Sequence, residues 1–182
     1  EYSNTNFILL GLLAEEVSGE SMAALYEEYI LNPLALTSTF FVPYMGRPEK
    51  LVYGYVHRYA LSLKKWYPNH PENTSWSTLA FTAGAMASNA QDLSAFTHAL
   101  FRGDLLGAES LSLMTTFRGD KGLGLFRYEV NGRTYLGHEG EITGFEAITV
   151  YEPESGAVIS ICANTTPFDV MELVRTLDME LR

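Results

Sequence analysis

The chain has 182 residues, with 47% hydrophobic and 19% charged residues and a mean hydropathy near zero, a composition that excludes disordered, collagenous and coiled-coil classes and fits one domain over residues 1–182. Twelve Lys and Arg against 22 Asp and Glu give a net charge of −10, which argues against nucleic acid and anionic membranes as partners, because both are held through basic patches. No apolar run approaches the ~18 residues of a membrane span, and a chain opening at Glu1 without Met leaves signal segments and compartment unread.

From Asn6 to Val17, Phe7, Leu10, Leu13, Ala14 and Val17 recur at helical spacing. Asn4 or Thr5 can cap this helix, and Gly19 supplies a left-handed stop. A second helix is predicted from Ser21 to Leu31, ended by Asn32-Pro33. Between Thr37 and Ala80, Pro43, Gly46, Pro48, Pro68 and Pro71 punctuate short aromatic runs, so one irregular hairpin in a long excursion is expected.

Ser88-Asn89-Ala90-Gln91 has the S-x-x-Q form of a capping box and opens a helix carrying Leu93, Phe96, Leu100 and Phe101, closed by Gly103. A short helix fits Glu109–Thr115. The apolar period then changes to two. Gly122–Val130 and Arg133–His138 flank Asn131-Gly132, a dipeptide suited to a two-residue hairpin turn. Phe145–Tyr151 and Ala157–Ala163 form a second strand pair, in which Cys162 reads as a buried small residue. As the single cysteine, it also rules out an intramolecular disulfide and a cysteine zinc cluster. Thr166-Pro167-Phe168-Asp169 then starts a last helix with Val170, Leu173, Val174 and Leu177 on one face. The fold class is α+β, an antiparallel sheet flanked by helices.

Two short segments carry candidate chemistry: Tyr2-Ser3-Asn4 directly before a helix, and His138-Glu139-Gly140 at the end of a strand. Each alone is weak, since a tyrosine before a helix is commonly a packing residue and an H-x-G triplet arises by chance. Their order and surroundings are more specific. Tyr2-Ser3-Asn4 with Leu10-Gly11, the small-residue run Ala83–Ser88, Gly122-Leu123-Gly124-Leu125, and His138-Glu139-Gly140 with Gly144-Phe145 together resemble the serine β-lactamase-like and penicillin-binding family. The branch is that of class C β-lactamases, D-alanyl-D-alanine carboxypeptidases and related esterases.

That resemblance implies acyl transfer through a serine in an S-x-x-K motif placed before Y-x-N. It therefore also implies that this chain is the C-terminal portion of one such domain, an incomplete fold lacking the first strands and the nucleophile helix, and inactive alone. Ser62-Leu63-Lys64-Lys65 matches the pattern but follows Y-x-N and lies in the proline-rich excursion. The motif needs a helix start, where serine and lysine project together one turn apart, so this match is set aside.

By the same resemblance Tyr2 and His138 are the catalytic candidates. Tyr2 is placed for proton transfer beside the family's lysine, and His138 stands where β-lactamases carry the lysine of their third motif. Asn4, Glu139, Gly140 and Glu141 are the substrate-binding candidates. Asn4 offers a carbonyl and an amide, Gly140 lets a substrate lie close to the strand, and the Glu141 N–H supplies half an oxyanion hole. Glu139 departs from the family's threonine, serine or small residue. Facing the cleft it would repel a substrate carboxylate; the alternative is that it points to solvent. His57, His70 and His98 lack metal-site spacing, and no cofactor is implied.

The expected activity is hydrolysis of an amide or ester (β-lactam, D-Ala peptide or ester) by an acyl-enzyme, with a small-molecule or peptide substrate. The alternative is a non-catalytic binding or scaffold protein that keeps the fold. A cell-envelope or secreted location follows from the resemblance alone. An uncovered strand edge and apolar face predict self-association.

Overall fold

In a computed structural model, residues 2–45, 51–60, 63–69 and 79–181 are described. The centre is a four-stranded antiparallel sheet, order β5-β6-β7-β8, made of Phe126–Val130, Arg133–Ile142, Phe145–Tyr151 and Val158–Ala163. Its β5–β6 turn is Asn131-Gly132, with φ of 48° and 84°. Those values are the left-handed pair of a type I′ turn, whose twist matches the flanking strands. β5 begins at Phe126 and not at Gly122. Gly122 N–H instead bonds Leu125 O within a turn, and Leu123 N–H bonds Met114 O. β6 runs on to Ile142, so the His138 segment lies within a strand instead of at its end.

Helix α1 spans Asn4–Ser18 and stops at Gly19 in the left-handed conformation. Its cap position is Ser3, not Asn4 or Thr5, and Ser3 makes no side-chain cap bond. Gly11 packs on Thr82, where a Cβ would come within 2.4 Å of the hydroxyl; that hydroxyl donates to Phe7 O at 2.7 Å. Leu9, Leu10, Leu12, Leu13 and Val17 are nevertheless 51–79% exposed, so the helical spacing of Leu10, Leu13 and Val17 does not mark a buried face. Helix α2, Met22–Tyr26, is capped by the Ser21 hydroxyl and continues as a π-helical turn over Glu27–Leu31. A short helix α3 covers Val42–Met45.

The excursion holds a hairpin of β2, Gly54–Ala60, and β3, Leu63–Asn69, and β2 also pairs in parallel with β9, Thr165–Thr166. Strands β1, Phe40–Phe41, and β4, Met86–Ala87, form a separate pair. Lys64 and Lys65 lie on β3, an extended strand that cannot present the helical S-x-x-K geometry; Ser62, His70 and the His57 side chain fall outside the described residues.

Helix α4, Ala90–Arg102, is capped by Asn89, which accepts from Asp92 N–H at 2.8 Å. Ser88 is not the cap because its hydroxyl meets Thr39 at 2.8 Å. α4 packs across β7 and β8, where the Thr97, Thr149 and Ser160 hydroxyls form a chain with 2.7 Å links, and exposes His98. Cys162, two residues along β8 from Ser160, is exposed, not buried. Ile159 and Ile161 turn the other way and pack with Val130, Ile148, Val150, Val170 and Val174.

A short helix α5 covers Ala108–Met114, and α6, Val170–Glu180, closes the apolar core. Asp169, not Thr166, caps α6 by accepting from Glu172 N–H at 2.9 Å. Leu177 is 38% exposed. Asp178 points inward instead, fully buried, and accepts from Tyr135 Oη at 2.8 Å and Asn131 Nδ2 at 2.9 Å, with Arg133 at 3.3 Å. Among the described residues no helix is long and apolar enough to cross a membrane.

Candidate active site

α1 and β6 converge where β5 stops. Docking α1 on the 81–83 turn carries Tyr2, just before its first turn, to the end of β5. There the Tyr2 ring centroid lies 5.8 Å from His138, 6.0 Å from Phe126 and 5.7 Å from Phe7. The two catalytic candidates, 136 positions apart in the chain, are neighbours. Tyr2 Oη donates to Asn4 Oδ1 at 2.8 Å. Asn4 sits exposed on the first turn of α1 with its side-chain carbonyl engaged.

His138 Nδ1 meets Glu139 O at 2.5 Å. A carbonyl oxygen only accepts, so Nδ1 carries the proton, and a neutral ring presents Nε2 as an acceptor. Phe126 lies 4.8 Å from the imidazole and is the aromatic wall of the site. Sequence reading by motif passes over Phe126. Register arithmetic finds it: counting back from the Asn131-Gly132 turn sets Phe126 opposite Gly137.

The same register opens an edge. A two-residue hairpin makes Val130 and Arg133 a hydrogen-bonded pair, so odd-numbered residues of β6 turn their N–H and C=O toward β5. β5 begins at Phe126, opposite Gly137, and pairs with nothing beyond it on β6. The backbone groups of Glu139 and Glu141 therefore face an edge that no described strand occupies. Gly140 adds room, since a Cβ there would meet nothing within 4 Å. Gly137, by contrast, is fixed by close approach: a Cβ would sit 2.0 Å from Thr149 O.

Side chains divide differently from backbones. Glu139 and Glu141 line an open cavity of about 520 Å³ with Glu146, Pro167, Phe168, Asp169 and the first turn of α6. Glu146 accepts from Phe168 N–H at 2.7 Å. Burial, chiefly, raises its pKa; that hydrogen bond opposes the rise, and the charges of Glu141, Asp169 and Glu139 add to it. Burial first, and the Glu139 charge second, also raise the Tyr128 hydroxyl. The β6–β7 turn is tied down from the far side, where Gly144 N–H donates to Thr166 Oγ1 at 3.0 Å.

A hydroxyl, an imidazole, a side-chain amide and an open N–H edge are the parts of a site that binds a carbonyl, polarises it and moves a proton. Among the described residues no group of three His, Cys, Asp or Glu is placed to hold a metal ion.

A family model described as Beta-lactamase matches residues 1–181. A protein of Escherichia coli K12 named as a putative D-alanyl-D-alanine carboxypeptidase is 24% identical over 90% of this chain and 44% of its own length. The D-amino acid amidase of Ochrobactrum anthropi SV3, solved with L-phenylalanine, superposes with a TM-score of 0.84 at 25% identity, covering 100% of this chain and 59% of that one. A D-stereospecific amidohydrolase from Streptomyces sp. gives 0.76 at 28% identity, over 91% and 50%. The chain thus spans about half the length of these relatives. Its mixed helix-and-sheet architecture is that of β-lactamase and transpeptidase folds.

Proposed function

Because the chain belongs to the Beta-lactamase family, we propose that it supplies one side of the acyl-transfer site of a serine hydrolase acting on amide or ester bonds. The observation that carries this reading is the meeting of Tyr2 and His138 beside the part of the β6 edge that no described strand occupies. The relatives' names, amidase, amidohydrolase and carboxypeptidase, favour an amide or peptide bond over a β-lactam. The reading places residues 1–182 as the C-terminal portion of one catalytic domain.

In this reading a serine oxygen attacks the substrate carbonyl and its proton passes through the Tyr2–His138 cluster to the departing nitrogen or oxygen. The carbonyl oxygen takes the negative charge and is stabilised by the Glu141 N–H together with the serine's own N–H. Asn4 holds the acyl-side amide, Gly140 admits the substrate to the edge, and Glu139 contributes its backbone there. Water then attacks the acyl-enzyme by the same proton path in reverse. The serine needs a lysine one helical turn on, and no described helix of this chain contains a lysine. In this reading the serine and its lysine come from outside residues 1–182, and the activity is that of a polypeptide that includes this chain.

The test uses the parent polypeptide with a D-amino acid p-nitroanilide, a p-nitrophenyl ester and a chromogenic β-lactam, followed by intact mass. Turnover with a trapped acyl adduct is expected, and Tyr2→Phe or His138→Gln should lower kcat by about 10²–10⁴-fold. Wild-type rates in both variants, or binding without any adduct, would overturn the reading; the second result is that of a scaffold protein. The 182 residues alone should show neither turnover nor an adduct on Ser62.

A further inference from the structure

Three rings surround the point where β5 ends, and one of them has no part in the chemistry described above. Phe126 is half-buried and opposite Gly137, a residue with no side chain to pack against it. Its ring, on the first residue of β5, lies against the next residue, His138, at 4.8 Å with planes tilted by 49°. The same ring reaches Tyr2 at 6.0 Å, and the Lys121 ammonium stands 6.0 Å from its centroid.

His138 needs such a neighbour. Its hydrogen bond to Glu139 O fixes which nitrogen carries the proton, but a single bond to the adjacent backbone leaves the ring free to swing about it. The described aromatic contacts that limit the swing are Phe126 and Tyr2. Tyr2 is itself tethered through Asn4. Removing the Phe126 ring would leave Tyr2, a residue that must also move a proton, as the described aromatic neighbour of His138.

We propose that Phe126 is the positioning residue of this site, holding the His138 imidazole against Tyr2 so that the two stay within one proton relay. Phe126 acts through His138 and exchanges no proton itself. Its role in turnover rests on the hydrolase reading; its role in holding the imidazole rests on geometry alone. A misplacement of about 1 Å at a reacting group can cost about 100-fold in rate, so a packing residue at this point carries leverage on kcat and little on substrate affinity.

Two measurements test this. In the 182-residue chain, the ring-proton resonances of His138, assigned by loss in His138→Gln, report ring currents from Phe126 and Tyr2. Phe126→Leu should move them toward solvent-exposed values while the Ile148 and Val174 methyl resonances of the core stay in place, and Phe126→Tyr should restore them. Should Phe126→Leu fail to fold, Phe126→Met, which keeps volume without an aromatic face, serves instead. In the parent enzyme, Phe126→Leu should lower kcat about tenfold or more with KM little changed, and Phe126→Tyr should recover the rate.

His138 resonances that ignore the loss of the Phe126 ring would overturn the proposal. So would a fall in kcat that tyrosine does not rescue, or a loss that appears in KM alone. If the wild-type parent hydrolyses none of the substrates, the hydrolase reading is what fails, and the resonances still decide whether Phe126 holds the imidazole.

Discussion

His138 and Glu139 are adjacent on β6, yet the imidazole lies 5.8 Å from Tyr2 while the Glu139 side chain lines the cavity beside Glu146 and the first turn of α6. Strand alternation separates them. An acid in this motif was expected to repel a substrate carboxylate directly if it faced the cleft. From the far side of the strand its charge acts only through space. Over ~10 Å in water-like surroundings that is worth ~0.4 kcal/mol, about a twofold effect. A direct charged hydrogen bond would be worth ~1.5–3 kcal/mol, about tenfold or more. In the parent enzyme, Glu139→Thr should therefore shift the kcat/KM ratio of a matched acid-bearing and neutral ester by about twofold. A change of tenfold or more would place the carboxylate in the cleft.

How legible this was depends on what each residue answers to. Gly19 and Gly103 end their helices as read, because a left-handed stop is a local requirement. Asn131-Gly132 sets its hairpin for the same reason. A cap departs from its local signal where a distant partner claims the side chain: Ser88 binds Thr39, so Asn89 caps α4. β5 starts late because Met114 takes the Leu123 N–H and turns the chain. In the site, the motifs named Tyr2, Asn4 and His138 but said nothing of Phe126, whose role comes from register across the sheet. The side to which Glu139 points also follows from strand alternation, and no motif encodes it.

Asp178 clamps the β5–β6 hairpin onto α6. It is fully buried and accepts from Tyr135, Asn131 and Arg133. Arg133 is partly exposed and can return to water, so the cost of losing Asp178 falls mainly on the buried Tyr135 hydroxyl. An orphaned buried donor costs ~1–3 kcal/mol, and at this size each kcal/mol lowers Tm by roughly 2–4 °C. Asp178→Ala should lower Tm on that scale, measured by calorimetry, with Arg133→Gln causing a smaller loss. Equal losses would mean that the ion pair, not the tyrosine, holds the clamp.

Glu152 and Glu146 should shape acid stability with opposite signs. Burial alone would raise Glu152, but the Ser155 hydroxyl and the Glu154 and Ser155 N–H groups outweigh it and hold its pKa low. A lowered folded pKa stabilises above the unfolded value, and that stability is lost as pH falls through the folded one. Glu146 is raised, chiefly by burial, so its contribution is full below the unfolded value and is lost as pH rises through the folded one. Urea unfolding across the carboxylate range should show Glu152→Gln flattening the acid-side loss. Glu146→Gln should stabilise near neutrality, where the amide oxygen still accepts from Phe168 N–H. The same pH slope in wild type and Glu152→Gln would assign the acid transition to other carboxylates.

The outward surface of α1 sets how this chain behaves by itself. Leu9, Leu10, Leu12, Leu13 and Val17 are 51–79% exposed along one helix that buries only Gly11. A helix apolar around most of its circumference is ordinarily covered, and exposed apolar patches of this kind drive association. The outer strand of the four-stranded sheet, β8, adds an edge with no described strand partner and no charged residue in Val158–Ala163. The net charge of −10 opposes association at long range, but it is screened within ~8 Å at physiological salt, whereas the apolar attraction is not. The purified chain should therefore sediment as an oligomer whose mass rises with salt and concentration. Leu13→Glu with Val17→Lys, both on exposed positions, should shift it toward monomer without changing its far-UV circular dichroism. A wild-type chain that sediments as a clean monomer with a cooperative, high Tm would show that the exposed α1 surface is tolerated in water.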